Sequence, residues 1–282
     1  MASQASAASS LKITSFSADS YIKGLPGGQL LDAGAWDAIS RDYSAEIVSP
    51  FDEGTSNPLF DELLSMEDAQ RKTVADLGYE TGPLEPFLAQ HFGRVVALDF
   101  SRGMLRNARR NVDAKNVSFH RADLADLRRF RDSFDVAVAV NSILAPSPRR
   151  VDRMLRQIWT TLVQGGTFFG VFPAMDSILY HAMLVLEREN SEHESEPLAI
   201  QHAKKVCEHE KYDFVTAVFD DDGHRQKHYY EFELRHRLRK AGFTNLRFRK
   251  VRYPWDDSVS GFECFPGMPK LWDWLVSAER AR

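Results

Sequence analysis

Cysteine is scarce in this chain, with only Cys207 and Cys264 among 282 residues. That excludes a disulfide framework and a cysteine-built zinc site. One disulfide would still be open to such a pair, but a reduced, cytoplasmic protein is the expectation. Long apolar runs are also missing. The longest, such as Val136 to Val140, have the length of a strand, far short of the roughly 18 residues a membrane span needs. No sign of charge dominates: 36 Lys and Arg stand against 40 Asp and Glu, a formal net charge of -4. A dedicated nucleic-acid binder shows a basic excess, so this balance argues against one. The opening MASQASAASS has neither a basic start nor an apolar middle. It does not read as a secretory signal, and a disordered leader over 1–20 is expected.

What the chain does have is apolar bulk in short pieces. Hydrophobic types make up 43%, with 19 Phe, 8 Tyr and 5 Trp to fill a core and line a pocket. From about Arg71 to Phe172, short apolar runs alternate with helical stretches. TVADLG, RVVALDF, VSFHRADL, FDVAVAVNSIL and TFFGVFP read as strands. PLEPFLAQHF, SRGMLRNARRN and VDRMLRQIWTTL read as helices. Ser101 is expected to cap the second, and Gly165-Gly166 to stop the third. Continuous apolar strands between helices predict a mainly parallel sheet covered on both faces. After Pro173 the rhythm changes. One or two helices are expected over 176–210, broken by the polar ENSEHESEP. A hairpin is expected around DDDG, then a helix at FELRHRLRKAGF and a strand at FTNLRFRKVRY. The tail from Pro254 holds three of the five Trp and is expected to pack on the body.

The chemistry sits at the strand ends. VADLGYETG is a strand breaking into glycines ahead of a helix. Gly78 and Gly82 permit a sharp turn and close approach to a ligand, and the following helix start offers free N–H groups. A plain strand-to-helix turn is the blander reading. Asp99 ends the second strand, 17 residues after Gly82, where an acid can accept both hydroxyls of a ribose or simply cap the next helix. Asp123 ends the third, as an adenine contact or a turn cap. A glycine turn and two acids at successive strand tips, in order, favour a nucleotide-type site over a plain turn and two separate caps.

With these stretches, and with LVQGGTFFGVFP, the chain resembles the class I S-adenosylmethionine-dependent methyltransferases over roughly residues 71–173, with a weaker echo at 234–250. The resemblance implies a Rossmann-like α/β fold, a seven-stranded mainly parallel sheet with one antiparallel edge strand. It also implies bound S-adenosylmethionine. Asp76 and Gly78 would then lie near its methionine part, Gly82 near the cofactor backbone, and Asp99 on the ribose, with Tyr79 and Glu80 of the same turn also in the cofactor-binding set. Phe100 and Met104 would flank the adenine, Asp123 and Leu124 would meet its edge, and Asn141 would lie beside the transferred methyl. The family turn is G-x-G-x-G, and Glu80 stands in its middle position. This carboxylate either points away, obstructs the cofactor, or attracts its positive sulfonium or amino group.

The expected layout is a leader over 1–20, a helical cap over 21–70, a cofactor-binding core over 71–175, an inserted lid of helices and hairpin over 176–232, and completion of the core over 233–282. The fourth strand ends Asn141-Ser142-Ile143-Leu144, without the signature of exocyclic-nitrogen or cytosine C5 methylation. By elimination, a small-molecule acceptor with an O, N or S nucleophile is expected. A non-catalytic binding or scaffold protein is the alternative, and an RNA methyltransferase a third. His181 is the candidate general base, with Tyr43 and Tyr180 beside it. An ordinary partly buried helix histidine is the competing reading of His181. The stretch around Trp36, Tyr43 and Phe51 either closes over the cofactor or docks on the sheet. His193, His202 and His209 lie in a solvated acidic stretch without a ligand motif, so no metal is expected. The basic run RLRKAGFTNLRFRKVR reads as a solvated face.

Overall fold

A computed structural model describes residues 49–79, 83–221, 223–255 and 263–281. The expected leader, Trp36 and Tyr43, and Glu80 and Gly82 of the glycine turn lie outside these residues. The first described elements are α1 (Leu59–Leu64), β1 (Thr73–Leu77), α2 (Glu85–His91), β2 (Arg94–Asp99), α3 (Arg102–Asn111) and β3 (Val117–Arg121). There follow β4 (Phe134–Val140), α4 (Pro148–Thr161), β5 (Leu162–Pro173), α5 (Met175–Glu192) and α6 (Glu196–Val206). The chain closes with β6 (Tyr212–Asp213), β7 (Val218–Asp221), β8 (His224–Lys227), α7 (Glu231–Ala241), β9 (Phe243–Arg252) and β10 (Trp272–Arg280).

Seven strands form one sheet in the order β3-β2-β1-β4-β5-β10-β9. β1 through β5 are parallel neighbours, and β10 runs antiparallel to both β5 and β9. The expected antiparallel edge strand is therefore one place in from the edge. It is the tail itself, whose Trp272, Trp274, Val276 and Ala278 enter the core.

The alternation of side chains along each strand separates two apolar layers. One face carries Ala75, Leu77, Val96, Leu98, Ala137 and Ala139 against Leu155 and Ile158 of α4 and Leu234 and Leu238 of α7. The other carries Val74, Val95, Val136, Val138 and Val140 against Leu59, Leu63, Leu84, Leu88 and Phe92. The described part of the N-terminal stretch thus docks on the sheet. Phe51, Phe60 and Phe87 make an edge-to-face chain there, and Ser56 bridges to Arg252 at the end of β9.

Three element boundaries differ from expectation. α4 ends at Thr161, four residues before Gly165, because the carbonyls of Thr160 and Thr161 bond the N–H groups of Asp132 and Ser133. Leu162 is then drawn into the sheet opposite Phe134, and Gly165 at φ +80° sits in the resulting bulge. α2 starts at Glu85, one residue after the expected start near Pro83 or Leu84, with Pro86 in its first turn. The expected hairpin is a three-stranded antiparallel sheet, β6-β7-β8, since Asp213 accepts from Val215 N, Thr216 N and Thr216 Oγ1 and turns the chain early.

Candidate active site at the strand tips

β1 and β2 are paired in register through Leu77 and Leu98, and the Gly78 N–H continues the ladder to the Leu98 carbonyl at 2.7 Å. Their ends therefore lie side by side, which brings Asp76 and Asp99 together. Both are buried, at 3% and 6% exposure. Burial, and then the like charge of Asp99, pushes the Asp76 carboxyl up to about 7. Gly78 holds φ +82°, and a Cβ there would stand 2.3 Å from the Ser142 Cβ. Ser142 in turn donates its hydroxyl to the Leu77 carbonyl at 2.6 Å, so the tips of β1 and β4 are in contact. Only glycine fits this junction.

Beyond Asp99, Ser101 caps α3 by accepting the Met104 N–H at 3.1 Å, as its sequence position suggests. The Asp99 Oδ1 accepts the Ser101 N–H at 2.7 Å, so this acid both braces the turn and sits at the strand tip. Tyr79 packs with Ala97, Met104, Ala108 and Phe119. Its hydroxyl is buried without a partner among the described residues. Burial, and the charges of Asp99, Glu85 and Asp76, hold that phenol well above its ordinary range. Phe100 is half-buried at the same turn, its carbonyl accepting from Arg121 at 3.0 Å.

Asp123 sits differently from the other two acids. It caps a turn through the Ala125 N–H at 2.8 Å and meets Arg150 of α4 at 3.0 Å, about half exposed. Leu124 beside it is buried in the core.

On the other side of Ser142, the tip of β4 meets β10. Asn141, at φ +44°, donates its Nδ2 to Asp273 at 3.2 Å. The Tyr253 hydroxyl donates to the same carboxylate oxygen at 2.6 Å. Burial pushes Asp273 up to about 6, although both bonds and one from the Ala174 backbone oppose the shift. The Asn141 Oδ1 is buried with no partner among the described residues. Sequence reasoning missed Asp273 and Tyr253. The available signal was the alternation Trp272-Asp273-Trp274 in a tail strand, which turns two indoles into one face and the acid to the other.

His181 lies in the second turn of α5, buried, between the rings of Trp255 and Phe265. Its Nε2 is 3.3 Å from the Glu263 carbonyl, and burial pushes its pKa down to about 4. Tyr180, on the same helix, stacks obliquely on Trp272, and its buried hydroxyl has no partner among the described residues. The basic run is partly paired: Arg237 and Lys240 share Asp152, and Arg247 and Arg249 reach Glu62. A cleft of about 560 Å³ opens at the β9 edge, lined by Asn57, Glu231, Arg235, Phe248, Lys250 and Trp274. It belongs to that edge strand, away from Asp76 and Asp99.

Residues 74–166 match the family model of the methyltransferase domain. That match takes in about a third of the chain, from β1 to the start of β5. A putative methyltransferase from Haloferax volcanii, solved in complex with the Trm112 methyltransferase activator, is similar at 19% identity and TM-score 0.58, over 92% of this chain and all of that one. An S-adenosylmethionine-dependent methyltransferase from Mesorhizobium loti shares 18% identity at TM-score 0.53, over 79% of this chain and 96% of that one. A protein solved in connection with the conversion of a disulfide bond into a thioacetal group in echinomycin biosynthesis gives 18% and 0.53, over 87% and 92%. These likenesses establish the fold. No curated protein matches the chain. Among the described residues, no helix is long and apolar enough to cross a membrane.

The residues at these strand tips suit S-adenosylmethionine. Two buried carboxylates at adjacent strand tips suit a ligand carrying hydroxyls and positive charge. The unpartnered Tyr79 hydroxyl and Asn141 Oδ1 leave polar capacity on both sides of the Gly78–Ser142 junction.

Proposed function

We propose that this enzyme methylates an O–H or N–H nucleophile of a small molecule in the cytoplasm, with Asp273 as general base. Asp99 accepts the ribose hydroxyls, and Asp76 faces the cationic methionine portion. Phe100 and Met104 flank the adenine, with Asp123 and Leu124 at its edge. S-adenosylmethionine supplies a methyl already activated on a sulfonium, so the protein has to align the acceptor, exclude water and take up one proton. Asn141 spends its Nδ2 on Asp273, and its Oδ1 is left as a polar contact for the acceptor. Asp273, with a pKa of about 6, is ionised at neutral pH yet basic enough to receive the proton. Tyr253 holds that carboxylate in one orientation through its 2.6 Å bond. The single observation that carries this reading is the Asn141–Asp273–Tyr253 cluster next to the Gly78–Ser142 junction.

Asp273 takes the role that the sequence suggested for His181. A histidine pushed down to about 4 binds a proton more weakly than this carboxylate, and its ring is enclosed by aromatic side chains. Pairing of four of the seven cations in the basic run supports a small acceptor over RNA. The test is to incubate the enzyme with S-adenosylmethionine and a panel of phenols, alcohols, amines and amides, and to measure S-adenosylhomocysteine. Turnover that is abolished in Asp273→Asn supports the assignment. Turnover on RNA alone, or turnover indifferent to Asp273, overturns it.

A further inference from the structure

The helical hairpin inserted after β5 carries a second cluster. Glu189 and His193 are one turn apart near the end of α5, and the short turn His193–Ser195 returns the chain so that His202 of α6 faces them. The Glu189 Oε2 lies 3.1 Å from His193 Nε2 and 3.5 Å from His202 Nδ1. The three candidate ligand atoms all fall within 4.8 Å of one another. The imidazole centroids are 4.6 Å apart with their planes at 88°.

The two Glu–His separations are those of a coordination sphere. Zinc bonds nitrogen and carboxylate oxygen at about 2.0–2.1 Å, so tetrahedral ligands stand about 3.3 Å apart. The two measured Glu–His separations straddle that value. Glu189 is buried, whereas the side chains of His193 and His202 are 25% and 45% exposed, which leaves an entry path from solvent past the histidines. The other carboxylate oxygen, Oε1, is fixed by Arg188 at 2.6 Å, and Arg188 is also paired with Glu263. Such an outer partner orients a metal-ligating carboxylate. Two imidazoles and one carboxylate are the donor set of a borderline divalent ion, with a fourth position left to water.

We propose that Glu189, His193 and His202 bind one zinc-class divalent ion that clamps α5 to α6. Glu189 is 14 residues along the helix from Met175 at the β5 tip, about 20 Å at 1.5 Å per residue. The ion is therefore a clip on the inserted hairpin and takes no part in methyl transfer. His209 lies outside the cluster and bonds the Lys204 carbonyl. The expectation that this histidine-rich stretch is merely solvated overlooked the carboxylate one helical turn upstream.

The test uses the full chain, stripped with chelator and titrated with zinc chloride against a chromophoric competitor. One equivalent binds, and His193→Ala and His202→Ala each weaken it at least about tenfold. Cys207→Ser and His209→Ala leave the affinity unchanged. Far-UV circular dichroism confirms that each variant is folded. Should His193→Ala not fold, the variant His202→Cys, at the more exposed ligand, decides the matter through cobalt. It should show thiolate-to-cobalt charge transfer in the near ultraviolet that the parent lacks. Zinc affinity unchanged in folded His202→Ala, no binding at millimolar zinc, or a cobalt spectrum indifferent to His202→Cys would overturn the site.

Discussion

The two halves of the strand-tip edge both hold a carboxyl group raised above its ordinary range, and they do so by different means. In the β1–β2 half, Asp76 is lifted to about 7 by burial and by the neighbouring charge of Asp99. That is an electrostatic tension which a cationic ligand relieves. In the β4–β10 half, Asp273 is lifted to about 6 by burial while Tyr253 and Asn141 donate to it and pull the other way. That carboxylate is poised by hydrogen bonds and answers to its donors. In the proposed function, the pair of acids binds and the single acid exchanges a proton.

The sharpest way to break this comparison is Asp273→Asn. General-base catalysis contributes on the order of 10²–10⁴ in rate. The variant should lose about that much in kcat while S-adenosylmethionine affinity, measured by calorimetry, stays within about threefold. Equal losses in both would merge the two halves into one site. Next comes Gly78→Ala, which forces a side chain into φ +82° and against Ser142. Left-handed backbone and overpacking together cost about 2–4 kcal/mol, readable as a lowered denaturant midpoint at constant m. An unshifted midpoint would mean that the two halves do not meet at that glycine.

Smaller effects follow the two titrations. A cation beside Asp76 favours its ionised form, so S-adenosylmethionine affinity should rise as pH increases through about 7, and binding should release a proton below that point. Asp76→Asn should flatten this dependence. Without ligand the sign is opposite for stability. The folded protein holds the Asp76 proton that the unfolded chain has released, so this group's stabilisation is lost as pH rises from about 4 to about 7. The catalytic rate should in turn fall as pH drops through about 6, where Asp273 is protonated. Tyr253→Phe removes a donor to that carboxylate and should move this acid limb to higher pH by about one unit. A limb that stays in place would show that Asp273 is not the group being titrated.

The two halves also differed in how plainly the sequence displayed them. Asp76, Gly78 and Asp99 lie within one βα unit, so strand periodicity and glycine punctuation were enough to align them. Ser101 announced itself as a cap by standing just ahead of a helical stretch. The β4–β10 half joins Asn141 to Asp273 across 132 residues. No local pattern says that the tail becomes an inner strand beside β5. The two tryptophans of that strand were visible as core material, and Asp273 between them was not singled out. The glycines at 165 and 166 misled for a related reason: the pairing of Leu162 with Phe134 overrode a helix stop that local chemistry favours. Asp123 shows the converse, a strand-tip acid whose carboxylate is engaged by Arg150 and its own turn.

The most direct measurement is calorimetric titration of the wild type and Asp99→Ala with S-adenosylmethionine. The buried acid at the β2 tip should be worth more than about tenfold in affinity, because charge-assisted bonds to the ribose are lost. Equal affinity in the two proteins, with Asp99→Ala still folded, would contradict the placement of the cofactor across β1 and β2.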